Sequence, residues 1–286
     1  MPNQPSVLVG ISTYNRADIL AKAIDSALAQ KYPSVRVGVL DDGSTDDTPA
    51  IKERYPAVEW TRWANRGYIP ARNHLMLTAG TDYYVSLDDD AWFVEGDEIG
   101  LAVTLLESDP SLGAVAFDIL SPDQPHKRPR QPPALTGMFI GCGHVLRLSI
   151  VRALAGYAEF PGSYGGEEKD LCLRLLDAGY SVVTLSGVHV WHDKTETARD
   201  RHAQHRSGVC NDLTIALRRT PFALMPFTVA WKLFRHVSFA VRRGLLTPCL
   251  AGIGRFFATS WTVLRTRKPV RARTLMEFSR RSRPQA

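Results

Sequence analysis

The first 90 residues alternate short strand-like runs with segments of helical period, and this alternation leaves few folds open. Residues 7–11, 35–40, 58–63 and 83–87 read as short strands, the first and last of them continuous apolar runs suited to burial on both faces. Helical patterns lie between them. Leu20, Ile24 and Leu28 recur at spacing four, Thr48-Pro49 ahead of IKERY reads as an N-cap with proline at the first helical position, and a further helix falls at 71–78. Such a βαβαβαβ series predicts an α/β fold, a parallel sheet flanked by helices that binds ligands at the carboxyl ends of its strands. Further on, the pattern predicts a helix over 98–108, a strand over 114–117 and strand character over 138–146. It also predicts a helix over 168–178 with Leu171, Leu175 and Leu176 inward, and a last strand over 181–185. Residues 121–133, SPDQPHKRPRQPP, hold five prolines without periodicity and are expected to form a loop or mobile flap beside the site.

Charge divides the chain unequally. From Arg218 onward there are 15 Lys or Arg and one acid, Glu277, so the tail carries +14 while the rest carries −8. A tail of this kind calls for an anionic partner. A nucleic-acid arm would hold few large apolar residues, yet Phe222, Phe227, Trp231, Phe234, Phe239, Phe256, Phe257 and Trp261 interleave with the arginines. That mixture suits helices in the interface of an anionic membrane surface, or a helical subdomain packed on the core, and no nucleic acid is expected. Charged residues interrupt the apolar tail before it reaches the ~20 residues needed to span a bilayer. The four cysteines form no C-x-x-C pair, which fits a reducing compartment, and the start MPNQPSVLVGIS reads as a first strand and not as a signal peptide. The expected location is the cytoplasm, where the tail would allow peripheral attachment to the inner membrane.

Four strand ends carry chemistry. Thr13-Tyr14-Asn15-Arg16 offers an aromatic face for a base and an arginine for a phosphate. Asp41-Asp42-Gly43-Ser44 offers a carboxylate for the ring N–H of uracil or thymine. Asn65-Arg66-Gly67 with Arg72-Asn73 follows the third strand. After the fourth come Asp88, Asp89 and Asp90, a D-x-D pattern whose hard oxygens suit Mn²⁺ or Mg²⁺ carrying substrate phosphates. Singly, each has an ordinary explanation: Asp-Gly-Ser is a common turn, and three aspartates can be a solvated loop. Trp92 and Phe93 either line an acceptor pocket or anchor the loop.

In this order the strings TYNR, DDGSTDDT, NRGYIPARN and LDDD resemble the family 2 glycosyltransferases, inverting enzymes of the GT-A fold. The resemblance continues through FIGCGHVLR, YGGEEKDLCLRLLDAGY and VWHDK, over roughly residues 6–215. It implies a GT-A domain over 1–217 with a basic amphipathic helical extension over 218–286. The implied activity is transfer of a hexose or deoxyhexose from a UDP or dTDP donor to a glycan, lipid-linked or small-molecule acceptor, as in polysaccharide biosynthesis. The resemblance places Thr13, Tyr14, Arg16, Asp41 and Asn65 on the nucleotide and Arg72 near the diphosphate, with Asp88 and Asp89 at the donor. Asp88, Asp90 and His192 fall on the metal, with His189 competing for that place. The family's acidic pair, usually Glu-Asp, is Glu167-Glu168 here. Glu168 then stands at the catalytic base, although both glutamates also suit a helix N-terminus. A sugar-phosphate nucleotidyltransferase would need a glycine-rich basic loop after the first strand, which ISTYNRAD lacks. A non-catalytic membrane- or partner-binding protein that retains the fold is the other alternative.

Overall fold

The structure, a computed structural model, describes residues 4–195 and 200–282. The chain divides into two compact units, Met1–Gly156 with Gly179–Ala198, and Tyr157–Ala178 with Arg199–Ala286.

The first unit opens with β1 (Val7–Thr13), α1 (Ala17–Leu28), β2 (Val35–Asp41), α2 (Thr48–Ile51), β3 (Glu59–Arg62), α3 (Tyr68–Thr78) and β4 (Tyr83–Asp88). It continues with β5 (Ala91–Phe93), α4 (Glu98–Ser108), β6 (Leu112–Leu120), β7 (Ala134–Thr136), β8 (Gly143–Arg147), α5 (Leu148–Ala153) and β9 (Ser181–His192). The strands make one mixed sheet in the order β3-β2-β1-β4-β8-β6-β9-β5, with β7 also on β9. β3, β2, β1 and β4 run parallel, while β8 is antiparallel to both its neighbours. Val7, Val9 and Ile11 alternate onto one face, where they pack with Leu20 and Ile24 of α1 and Ile99 and Val103 of α4. On the other face Gly10 leaves room for Tyr84, because a Cβ there would lie 2.4 Å from the tyrosine ring.

The parallel half follows the sequence pattern, with local differences. Leu28 is 46% exposed, because eight residues past Leu20 it has drifted about 80° around the helix, and Ala27 is buried in its stead. The IKERY helix is only the one-turn α2 followed by a 3₁₀ turn, Lys52–Arg54. Thr48 lies inside α2, and the N-cap is Asp47. Strand character over 138–146 contracts to β8, and Leu176 is only half-buried. The last strand is much longer than 181–185. After a break in register between Leu185 and His189, β9 continues to His192 and pairs with β5.

The expected loop over 121–133 is present, and side chains and backbone tether it. Arg130 pairs with Asp97 at 2.9 Å and Lys127 with Glu95 at 3.0 Å, while the Arg128 N–H donates to His189 Nε2 at 3.1 Å. Gly187, at φ 78°, permits this approach, since a Cβ there would lie 2.4 Å from the Arg130 nitrogen.

The second unit is helical: α6 (Glu167–Asp177), α7 (Arg201–Arg219), α8 (Met225–Arg243), α9 (Leu246–Arg265) and α10 (Ala272–Arg281). Val209, Leu213 and Leu217 of α7 form its core with Ala240 of α8 and Phe256 and Val263 of α9. Asp170 of α6 is fully buried and accepts from Arg219 at 2.6 and 3.0 Å and from Arg174 at 2.7 Å. Asp177 accepts from the Arg271 N–H at 2.8 Å and the Thr274 hydroxyl at 2.7 Å, which fastens α10 to α6. These bonds join Arg219 and α10 to α6 within the second unit. Among the described residues no helix is long and apolar enough to cross a membrane.

Candidate active site

Parallel pairing sets the strand ends side by side, with Thr13 opposite Asp41 and Ser12 opposite Asp88. Three loops beyond these ends are knit together. Asn15, at a left-handed φ of 53° that asparagine tolerates, donates its N–H to Ser44 Oγ at 2.9 Å and accepts from the Thr45 N–H at 2.7 Å. Asp42 accepts from the Arg66 and Gly67 N–H groups, each at 2.7 Å. Gly43 has φ 87°, and a Cβ there would lie 2.8 Å from the Asn65 nitrogen. Asp42 is therefore a brace for the third loop, a role the sequence motif did not separate from that of Asp41.

Asp41 is buried. Its Oδ1 accepts from the Ser44 N–H at 2.8 Å, while Oδ2 makes no hydrogen bond and has only an ion pair with Arg62 Nε at 3.3 Å. A buried carboxylate oxygen of this kind is an acceptor ready for a ligand N–H. Thr13 is buried beside it, while Tyr14 and Asn65 are exposed at the rim.

The acid centre lies where β4 turns into β5. Arg16 Nη1 reaches Asp89 Oδ1 at 2.8 Å and Asp90 Oδ2 at 2.9 Å, and Arg72, stacked 4.8 Å over Tyr68, pairs with Asp88. Burial pushes the Asp89 carboxyl up to about 6, helped by Asp90 and Asp88 and opposed by Arg16. Burial works against the Arg16 cation, but Asp89 and Asp90 outweigh it and raise its pKa. His192 Nε2 lies 3.3 Å from Asp90 Oδ1, close to the ~3 Å edge of an octahedron with ligands at ~2.1 Å. Ligand atoms of Asp88, Cys142 and His192 lie within 4.8 Å of one another. The carboxylates are hard donors that suit Mn²⁺ or Mg²⁺, the borderline imidazole of His192 is better suited to Mn²⁺ than to Mg²⁺, and a thiol is too soft to favour either.

Of the two histidines, His189 has both ring nitrogens engaged, Nδ1 with Glu95 at 3.0 Å and Nε2 with the Arg128 N–H. It stands three residues from His192 on a strand, and an odd spacing sends the two side chains to opposite faces. Trp92 stacks on Trp191 and Phe93 meets Phe117 edge-on, so both anchor the turn after the aspartates. Cys142 was missed in the sequence, although it stands within the string FIGCGHVLR.

Glu167 and Glu168 belong to the helical unit. Gly165 and Gly166 both have positive φ and lead into α6, where Glu167 is fully buried and Glu168 half-buried. Asn211 of α7, itself fully buried, shapes that approach. Its Oδ1 accepts from the Gly162 N–H at 2.8 Å, and its Nδ2 donates to the carbonyls of Gly162, Tyr164 and Gly165 at 2.7–3.0 Å. Each such bond is worth about 1 kcal/mol net, and a lost partner in a buried loop costs more.

A mixed sheet whose parallel half gathers an aromatic-arginine loop, a buried acceptor and an acid centre at neighbouring strand ends is an α/β architecture of the GT-A type. The description "Glycosyl transferase family 2" matches residues 8–151, about half the chain, and the chain belongs to that family. Chondroitin synthase of Escherichia coli is 34% identical over 115 residues, 39% of this chain and 17% of that protein. Poly-beta-1,6-N-acetyl-D-glucosamine synthase of Staphylococcus aureus is 31% identical over 109 residues, 37% of this chain and 26% of that protein. The matched segments thus span about a quarter or less of these curated relatives. Among solved structures, S. aureus TarS 1–349 in complex with UDP-GlcNAc gives a TM-score of 0.66 at 16% identity, over 89% of this chain and 81% of that one. Mannosyltransferase PcManGT from Pyrobaculum calidifontis, in complex with GDP-Man and Mn2+, gives 0.62 at 21% identity, over 93% and 80%. These likenesses establish the fold.

Proposed function

We propose that the chain transfers a sugar, with inversion, from a nucleoside diphosphate to a hydroxyl of a glycan, lipid-linked or small-molecule acceptor. The observation that carries this reading is the buried Asp41 Oδ2, which makes no hydrogen bond among the described residues and is met only by the half-exposed Arg62 guanidinium at 3.3 Å, two strands from the acid centre on the same sheet edge. Asp41 accepts the ring N–H of uracil or thymine there, with Tyr14 stacked on the base and Thr13 and Asn65 lining its approach. Arg16 and Arg72 are the cations available to the diphosphate, and Asp89 holds Arg16 in position. Asp88, Asp90 and His192 would hold a divalent cation such as Mn²⁺ or Mg²⁺, which would supply positive charge for the leaving diphosphate.

Glu168 takes the proton from the acceptor hydroxyl as that oxygen attacks the anomeric carbon. It is the more accessible of the two glutamates, since Glu167 is sealed at the first turn of α6. The names of the relatives, synthases of chondroitin and of poly-beta-1,6-N-acetyl-D-glucosamine, favour a glycan acceptor.

A thermal-shift panel of UDP-, dTDP-, GDP- and CMP-sugars with Mn²⁺ tests the donor. UDP- or dTDP-sugars are expected to raise the midpoint, an effect that EDTA reverses. GDP is the natural control, given the mannosyltransferase neighbour. A shift by GDP-sugars alone would reject the role of Asp41.

A further inference from the structure

Helices α8 and α9 each carry two apolar stripes, and only one of each is covered. On α8, Val229, Leu233 and Val237 pack against the core shared with α7, while Phe227, Trp231 and Phe234 point away and are 59–76% exposed. On α9, Cys249, Phe256 and Val263 are buried, while Leu250, Phe257 and Trp261 recur seven and four residues apart and are 53–69% exposed. A surface helix of a globular unit needs one apolar stripe. Six large apolar side chains held in water on a second stripe mark a surface that meets something.

Charge identifies the occupant. From Arg218 onward 15 Lys or Arg stand against Glu277 in the sequence; Arg219, Lys232 and Arg271 are taken up by Asp170, Asp212 and Asp177, while Arg235, Arg242 and Arg255 are exposed along these helices. A second copy of the chain would set this positive charge against itself. Single-stranded nucleic acid would satisfy the arginines and stack on the rings, but Leu250 and the exposed Val241, Leu246 and Met276 offer no π-face to a base. A bilayer with anionic headgroups satisfies all of these groups, with aromatic and aliphatic side chains at the acyl boundary and arginines on the phosphates. We propose that the outward stripes of α8 and α9 dock the helical unit on an anionic lipid surface. This surface lies wholly within the helical unit and does not depend on the chemistry at the strand ends.

The test is co-sedimentation of the full chain with vesicles of phosphatidylglycerol and phosphatidylcholine, against vesicles of phosphatidylcholine alone. The proposal expects binding to the anionic vesicles only, weakened by high salt. It expects about a tenfold or greater loss in the variants Phe227→Glu/Trp231→Glu and Phe257→Glu/Trp261→Glu, since each sets two charges in the apolar boundary. Circular dichroism and thermal melting serve as controls, because these side chains are exposed and the fold is expected to stand. Absence of binding, equal binding to neutral vesicles, or unchanged binding in both variants would overturn the proposal. So would self-association or oligonucleotide binding that the same substitutions abolish while vesicle binding persists.

Discussion

Replacing Glu168 by Gln is expected to lower sugar transfer by about 10²–10⁴-fold while donor binding survives. The substitution keeps the size and helix preference of the side chain and removes its charge and its ability to accept a proton. Glu168 lies in the first turn of α6, half-buried, at the end of a loop whose course Asn211 fixes through four hydrogen bonds. Glutamine should leave that loop intact, so a fall in rate with an unchanged donor affinity in calorimetry separates proton abstraction from binding. Release of nucleoside diphosphate with water as acceptor is a sufficient readout while the natural acceptor is unidentified. Loss of transfer in Glu167→Gln with none in Glu168→Gln would move the base by one residue.

The second large effect is expected at the acid centre. Asp90→Ala removes a carboxylate that lies 2.9 Å from Arg16 and 3.3 Å from His192. Transfer should fall by about 10³-fold, roughly 4 kcal/mol of transition-state stabilisation. Arg16 keeps Asp89 as a partner at 2.8 Å, so the fold should survive, as a melting curve would check. EDTA should act in the same way on the unmodified protein, and added Mn²⁺ should restore activity. Activity indifferent to both the substitution and the chelator would remove the metal from the account.

The elements around these residues differed in how readily the sequence disclosed them. β1, β2 and β4 are central and parallel, and their short apolar runs are visible without any partner. The clustering of the candidate residues at their ends was legible for the same reason, since parallel strands align their carboxyl ends. β5 has only three residues and takes its identity from pairing with β9, a contact between positions about 100 apart. β9 carries a break in register around Gly187, which interrupts the period that would have disclosed its full length. Cys142 enters the acid centre from the turn before β8, where the sequence pattern suggests strand. Asn211 was hidden more deeply, because its partners lie 46–49 residues away and an asparagine inside a long helix has no local signature. The tail's charge was plain in the sequence, but its packing with α6 and α7 depends on pairs such as Asp170 with Arg219 that only the folded chain assembles.

The most direct measurement follows the sugar itself. With an α-linked donor selected by the thermal-shift panel and Mn²⁺ present, proton NMR would record the anomer released to water before mutarotation. Attack by a hydroxyl activated at Glu168, on the face opposite the diphosphate, predicts the β-anomer from the wild type and almost no release from Glu168→Gln. Initial release of the α-anomer, or equal release from the two proteins, would contradict it.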